Sequence, residues 1–206
     1  MAVTEKSYRA STGVDEFYYA EITKDDATSF AAGEIERVEY LQEITTDMPQ
    51  EPVRAYGDNK TAELAVSNGN VSVTSRFHTI PVEDKARLFG LEKSTDGLYS
   101  YGSDDTPPYV AVIFAKTYED GSKEWVGLAK GMFMRPGISA KTKEDNVDFS
   151  SDEVTAEFME RFVDGFATDK TVLFGRDAKG ETASRDALFT KIFGKAYPTA
   201  PVVPGV

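Results

Sequence analysis

The chain has 206 residues, 35 Asp plus Glu against 23 Lys plus Arg, a formal net charge of −12, no cysteine and one histidine. That size allows one large domain that buries about 70% of its open-chain surface without covalent staples. The missing cysteines exclude disulfide frameworks, thiolate catalysis, zinc ribbons and iron–sulfur clusters, and the acidity argues against gripping a phosphate backbone, which is done by Lys and Arg.

Residues 1 to about 14 are polar, with no apolar run of signal-peptide length. No stretch approaches the ~20 apolar residues of a membrane span. A soluble, cytoplasmically made protein is the expectation. Segment 16–22 (EFYYAEI) is rich in aromatics and reads as the first strand. Segment 33–46 reads as one long strand, or as two with a bend. Segments 61–67 and Val71–Phe77 flank Asn68-Gly69, a strong hairpin signal that would set Val66 opposite Val71 and Leu64 opposite Val73. In 81–90 (PVEDKARLFG) proline at the first helical position, Glu83-Asp84 and Gly90 predict a short helix with Val82, Ala86 and Phe89 on its apolar face.

A second hairpin is predicted from 109–118 and Lys123–Phe133 about Asp120-Gly121. It places Ala115 opposite Val126, Ile113 opposite Leu128, and Lys116 opposite Trp125 as a cation–π pair. The run 110–115 is apolar on both faces, as a central strand requires. Segment 136–151 is loop-like and charged. A third strand pair is predicted from 154–163 and 171–174, with Val154, Ala156 and Phe158 on one face and Thr155, Glu157 and Arg161 on the other. Segment 184–193 reads as a helix with a Ser184 cap, an apolar face of Leu188, Phe189, Ile192 and Phe193, and Gly194 as terminator. The proline-rich end, 198–206, reads as an extended tail.

No reaction centre emerges. There is no glycine-rich phosphate loop, and His78, at a strand exit, reads as an ordinary edge or loop residue. The acidic pairs Asp25-Asp26, Asp104-Asp105 and Glu144-Asp145 sit in turn-like contexts, and none fits a calcium loop. No catalytic residue, metal site or cofactor is expected. What stands out is a β core rich in aromatics with three arm-like segments, a composition suited to contact between copies.

The order of motifs resembles the major tail protein, the tail tube subunit, of long-tailed bacteriophages of Gram-positive bacteria. The carrying residues are Phe17-Tyr18-Tyr19-Ala20-Glu21-Ile22, Pro52-Val53-Arg54-Ala55-Tyr56-Gly57-Asp58-Asn59 and Ile80-Pro81-Val82-Glu83-Asp84-Lys85-Ala86-Arg87-Leu88-Phe89-Gly90-Leu91. Tyr109-Val110-Ala111-Val112-Ile113-Phe114, Asp120-Gly121, Lys130-Gly131-Met132-Phe133 and Thr142 with its polar linker into Thr155-Ala156-Glu157-Phe158 follow. The resemblance spans roughly residues 16–180.

It implies a mainly β, tail-tube-type β-sandwich with one flanking α-helix, a short C-terminal helix and extended arms. The layout would be one domain, with an N-terminal arm (1–14), a β core (15–194) and a C-terminal tail (195–206). The implied role is a non-enzymatic virion subunit, assembled in the host bacterial cytoplasm. It would polymerise with itself as stacked, typically hexameric rings, join other tail components, and let double-stranded DNA pass without binding it. No membrane partner is implied.

On that reading a carboxylate-lined channel favours sliding, and the candidate channel-facing acids are Glu34, Glu36, Glu39, Glu43 and Glu157. Strand parity opposes Glu34 and Glu36 to Glu39 and Glu43, so a bend would be needed for all to face inward. Candidate contacts between subunits or rings are Phe17, Tyr18, Pro136, Phe149, Pro198 and Val202. The alternative from another class is a non-enzymatic binding module of a phage particle: a baseplate, capsid-decoration or glycan-binding β-sandwich. A hydrolase using an acidic dyad such as Glu36 and Glu157 is a third reading.

Overall fold

A computed structural model describes residues 9–26, 29–58, 60–137 and 150–198. The elements run β1 (Ser11–Asp26), β2 (Ser29–Ala32), β3 (Glu36–Val38), β4 (Leu41–Asp47), β5 (Gln50–Gly57), β6 (Lys60–Asn68), β7 (Val71–Phe77), α1 (Val82–Phe89), β8 (Glu92–Lys93), β9 (Tyr99–Ser100), β10 (Val110–Tyr118), β11 (Lys123–Phe133), β12 (Asp152–Met159), β13 (Val172–Asp177) and α2 (Ala183–Phe193).

The long sheet has the order β2-β1-β10-β11-β12-β7-β4, with β13 also on β11 and β3 also on β1. It folds over itself into a β-sandwich flanked by helices. Phe17, Tyr19, Val112, Phe114, Val126 and Leu128 from the β1-β10-β11 side meet Val71, Val73, Phe77, Val154, Ala156 and Phe158 in one core. The opposite face of β1-β10-β11 carries Tyr18, Ala111, Ile113, Trp125 and Ala129 against Leu188, Phe189, Ile192 and Phe193 of α2. Hence β10 is buried on both faces, which explains its unbroken apolar run.

The turn between the two sides of the sandwich lies in β11. Its register against β10 shifts between Val110 and Val112, so Leu128 and Phe133, of opposite parity, enter the same core. Gly131 sits at that turn, where an added Cβ would lie 2.4 Å from Phe158 Cδ1 and 2.6 Å from the Glu157 carbonyl oxygen.

The β10–β11 hairpin forms, but its register differs by one residue from the two-residue-turn expectation. Tyr118 N–H donates to the Ser122 carbonyl at 3.1 Å, and Gly121 takes φ +77°. The loop is therefore Glu119-Asp120-Gly121 with glycine in the left-handed position. Ala115 faces Trp125, Ile113 faces Gly127 and Lys116 faces Glu124. Lys123, rather than Lys116, lies over the Trp125 ring, at 5.7 Å.

Two expected pairings are replaced. β6 turns back on β5 through Asp58 (φ +47°), so Val66 faces Pro52 and not Val71. Asn68-Gly69 instead closes the base of that hairpin, where Gly69 N–H donates to the Pro49 carbonyl at 3.0 Å. β12 and β13 are joined only by one antiparallel bridge between the segments that link them, Arg161–Lys170; the strands themselves both add to β11, β13 along its first half and β12 along its second. Val154, Ala156 and Phe158 do share a buried face, but Arg161 lies beyond the end of β12 and is buried.

Segment 33–46 is two strands with a break at Tyr40 (φ +62°), β3 joining β1 and β4 joining β7. In α1, Gly90 in the left-handed region closes the helix and Leu91 N–H donates to the Ala86 carbonyl. Leu88 and Phe89 are buried while Val82 is exposed, so the apolar face is rotated from the expected one. In α2 the first-turn amides of Ser184 and Arg185 are capped by the Asp177 carboxylate of β13 (2.7 and 2.9 Å), not by a serine hydroxyl. Gly194 ends it as expected.

Candidate assembly surface

Among the described residues the β5–β6 hairpin pairs with no other strand. Register puts Pro52, Arg54, Tyr56, Leu64 and Val66 on one face, and Glu51, Val53, Ala55, Glu63, Ala65 and Ser67 on the other. Tyr56, Leu64 and Val66 are 70%, 61% and 58% exposed. A two-stranded ribbon alone is marginal in water, and this one presents an apolar stripe that the described residues of its own chain leave uncovered. Proline in β5 is consistent with an edge strand, since it removes a ladder donor.

The outer face of β4, β7 and β12 has a different character. Three rungs run across it: Glu43–Arg76–Glu153, Thr45–Thr74–Thr155 and Asp47–Ser72–Glu157. All nine side chains are exposed. Arg76 binds Glu153 at 2.8 Å and lies 3.6 Å from Glu43; the hydrogen bond and charge of Glu153 hold its pKa above the usual arginine value. Asp47 and Glu157 form the unneutralised end. Among the described residues β4 has a partner on one side only, which leaves a row of backbone donors and acceptors at the margin of this face.

Of the five predicted acids, the structure brings Glu43 and Glu157 to this face. Glu34 is exposed between β2 and β3. Glu36 is ion-paired with Arg87 of α1. Glu39 borders a polar cleft with Asp15, Glu16, Arg37 and Tyr40. Asp47 and Glu153, which complete the acidic face, were not anticipated; the alternation of Thr with acids in 43–47 and 153–157 is the signal that marks them. Among the predicted contact residues, Phe17 and Tyr18 are 1% and 3% exposed. Their place inside the two cores leaves them no surface for a neighbour, because strand β1 is covered on both faces. Pro136 and Pro198 are half-buried at the surface, whereas Phe149 and Val202 lie outside the described residues.

Buried polar contacts also tie the elements together. Tyr19 O–H donates to Asp84 Oδ1 at 2.6 Å, tying α1 to β1; burial, followed by this bond, pushes the phenol above its usual range, and burial raises the Asp84 carboxyl as well. His78 packs beside Tyr40 at a strand exit. Among the described residues no three His, Cys, Asp or Glu side chains are placed to hold a metal ion.

Among its described residues the sandwich thus carries an uncovered apolar arm, an open strand edge and an acidic face. Residues 42–197 match the family described as phage tail tube protein. The chain belongs to that family. No curated relative matches it. The matched span starts within β4 and ends at Tyr197, so it takes in the arm, the acidic face and both helices. Membership makes the chain a structural component of the phage tail that assembles with copies of itself and with other tail components. No helix among the described residues is long and apolar enough to cross a membrane.

Proposed function

We propose that this tail tube subunit polymerises into stacked rings, six subunits to a ring, whose central channel is lined by the outer face of β4, β7 and β12 and conducts double-stranded DNA during ejection. The observation that carries the reading is the β5–β6 arm. Its exposed Tyr56, Leu64 and Val66 gain about 1–2 kcal/mol each when a neighbour covers them, which offsets the cost of ordering copies into a ring. The free edge of β4 supports lateral growth, since a neighbouring strand can extend the ladder there.

The acidic face supports the channel. Glu43, Asp47, Glu153 and Glu157 outnumber Arg76 on it, and the threonine rung between them adds short neutral side chains. A wall of this kind repels a duplex and offers it no row of cations that would neutralise phosphates and release their counterions. The role requires no reaction. Negative-stain electron microscopy of concentrated purified protein tests the proposal: rings or tubes with a central channel are expected, and a monodisperse monomer at every concentration would refute it.

A further inference from the structure

A groove of about 700 Å³ lies between the β1–β2 turn, the segment after β12 and the last turns of α2. Phe30 and Phe162 supply aromatic walls, and Asp25, Asp164 and Asp186 rim it. Its floor is rigid. Arg161 is stacked on the Phe30 ring at 3.8 Å and donates to the Ala129, Phe162, Lys191 and Ile192 carbonyls at 2.8–2.9 Å. Phe162 remains 62% exposed, an apolar ring that nothing in its own described chain covers.

One stretch of this sequence matches such a groove. Pro198, Pro201 and Pro204 recur at every third position with Val202 and Val203 between them, and 198–206 has no charged side chain. A period of three places all three rings on one side of a polyproline II helix, the form in which proline-rich segments dock on aromatic grooves. An uncharged segment also suits a rim that sets three aspartates beside Lys191. Segment 1–8, with Glu5 and Lys6, and segment 138–149, with three acids and two lysines, would bring charge to it.

The chain's course indicates whose tail fits. Gly194 abuts Phe30 at the groove, and Lys195 Nζ donates to the Gly33 carbonyl at 2.6 Å. Beyond them Tyr197 is clamped against the first half of β1: its ring packs on Phe189 and Tyr18 at 5.0 and 5.9 Å, and its hydroxyl donates to Glu16 at 2.9 Å. Over residues 194–197 the described chain thus runs from the groove, which Gly194 lines, toward Glu16. Occupying that groove would demand an immediate reversal in a segment whose φ is fixed at every third residue.

We propose that segment 198–204 of one copy docks its prolines on the Phe30–Phe162 groove of a second copy placed head-to-tail along β1. Such a contact does not close on itself and repeats without limit, as stacking requires. The proposal rests on the tube reading and names one contact within it.

The cysteine-free chain makes the test direct. Full-length Phe162→Cys and Val202→Cys proteins are mixed under assembly conditions and treated with a short bis-maleimide; Ala187→Cys replaces Phe162→Cys as a second groove probe that keeps the ring. A 162–202 or 187–202 product between chains is expected. Adding Pro201→Ser and Pro204→Ser to the Val202→Cys chain should lower its yield at least about tenfold. Coupling within one chain in the doubly substituted protein at high dilution would overturn the second-copy assignment. Preferential coupling of the groove to Val3→Cys would overturn the choice of segment. Tubes seen in the microscope without any product would overturn the contact while leaving the tube reading intact. Product between chains without tubes would contradict the tube reading alone.

Discussion

Replacing Arg161 by methionine should destabilise the chain by about 3–5 kcal/mol. The guanidinium is 5% exposed and makes four hydrogen bonds to backbone carbonyls, two of them, Lys191 and Ile192, at the C-terminal end of α2. Those two are among the carbonyls a helix cannot satisfy internally, and the cation complements the negative end of the helix dipole. Each carbonyl left dry and unpaired costs about 1 kcal/mol or more, and the lost stack on Phe30 costs about 1 more. Burial pulls the pKa of Arg161 below the usual arginine value, with Asp25 acting the other way; the group remains a cation at neutral pH because an arginine starts so far above it. For a chain of this size 1 kcal/mol corresponds to about 2–4 °C in Tm, so the methionine variant should melt about 6–20 °C lower by calorimetry. Arg161→Lys should recover only part of the loss, since an ammonium has three donors and no planar fork. Hydrogen exchange should show the last turn of α2 opening first. A methionine variant within about 2 °C of the parent would refute the reasoning.

Three further outcomes follow from the packing. Gly131→Ala should cost about 3 kcal/mol, because the new Cβ meets the Glu157 carbonyl as well as the Phe158 ring, whereas Gly137→Ala, which meets nothing within 4 Å, should be neutral in the same urea titration. Leu64→Ser with Val66→Ser should leave Tm within about 2 °C and weaken assembly, scored by sedimentation velocity, by about 30-fold or more. Burial opposes the charge of Asp152, but the Ile80 amide at 2.8 Å and Lys85 at 2.9 Å outweigh it and hold the carboxyl below its ordinary value of 3.8. A depressed carboxylate stabilises the fold above its unfolded pKa and loses that contribution as pH falls through the folded one. The parent should therefore lose stability on acidification below about pH 4, and Asp152→Asn should flatten part of that loss in melts from pH 6 downward.

The elements with a buried face were legible; those whose partners depend on distant chain were not. β10 and β11 were marked by their apolar runs and by Asp120-Gly121, and only the three-residue loop displaced the register. β6 was misassigned because alternation of apolar and polar residues reads the same whether a strand covers a core or projects as an arm. Nothing local in 61–68 distinguishes pairing with β5 from pairing with β7, and Asn68-Gly69 drew the choice the wrong way. Strand parity extended past Met159, where β12 ends, puts Arg161 on the face of Thr155 and Glu157, whereas the chain beyond that end turns it inward. Phe17 and Tyr18 look like contact residues in a sequence because adjacent aromatics imply one on each face, and here both faces are internal. The acidic face needed three strands in register: Glu43 and Glu157 were found singly, but Asp47 and Glu153 become neighbours of Ser72 and Arg76 only through the β4–β7–β12 ladder.

The central claim is that the chain forms a tube with this acidic ladder turned inward, and a cryo-electron microscopy reconstruction of the assembled protein tests it most directly. The expected result is a continuous inner wall made from β4, β7 and β12 of each copy, with Glu43, Asp47, Glu153 and Glu157 lining the channel and the β5–β6 arm seated on a neighbour. An assembly that places those four carboxylates on its outer surface, or leaves Leu64 and Val66 in solvent, would contradict it.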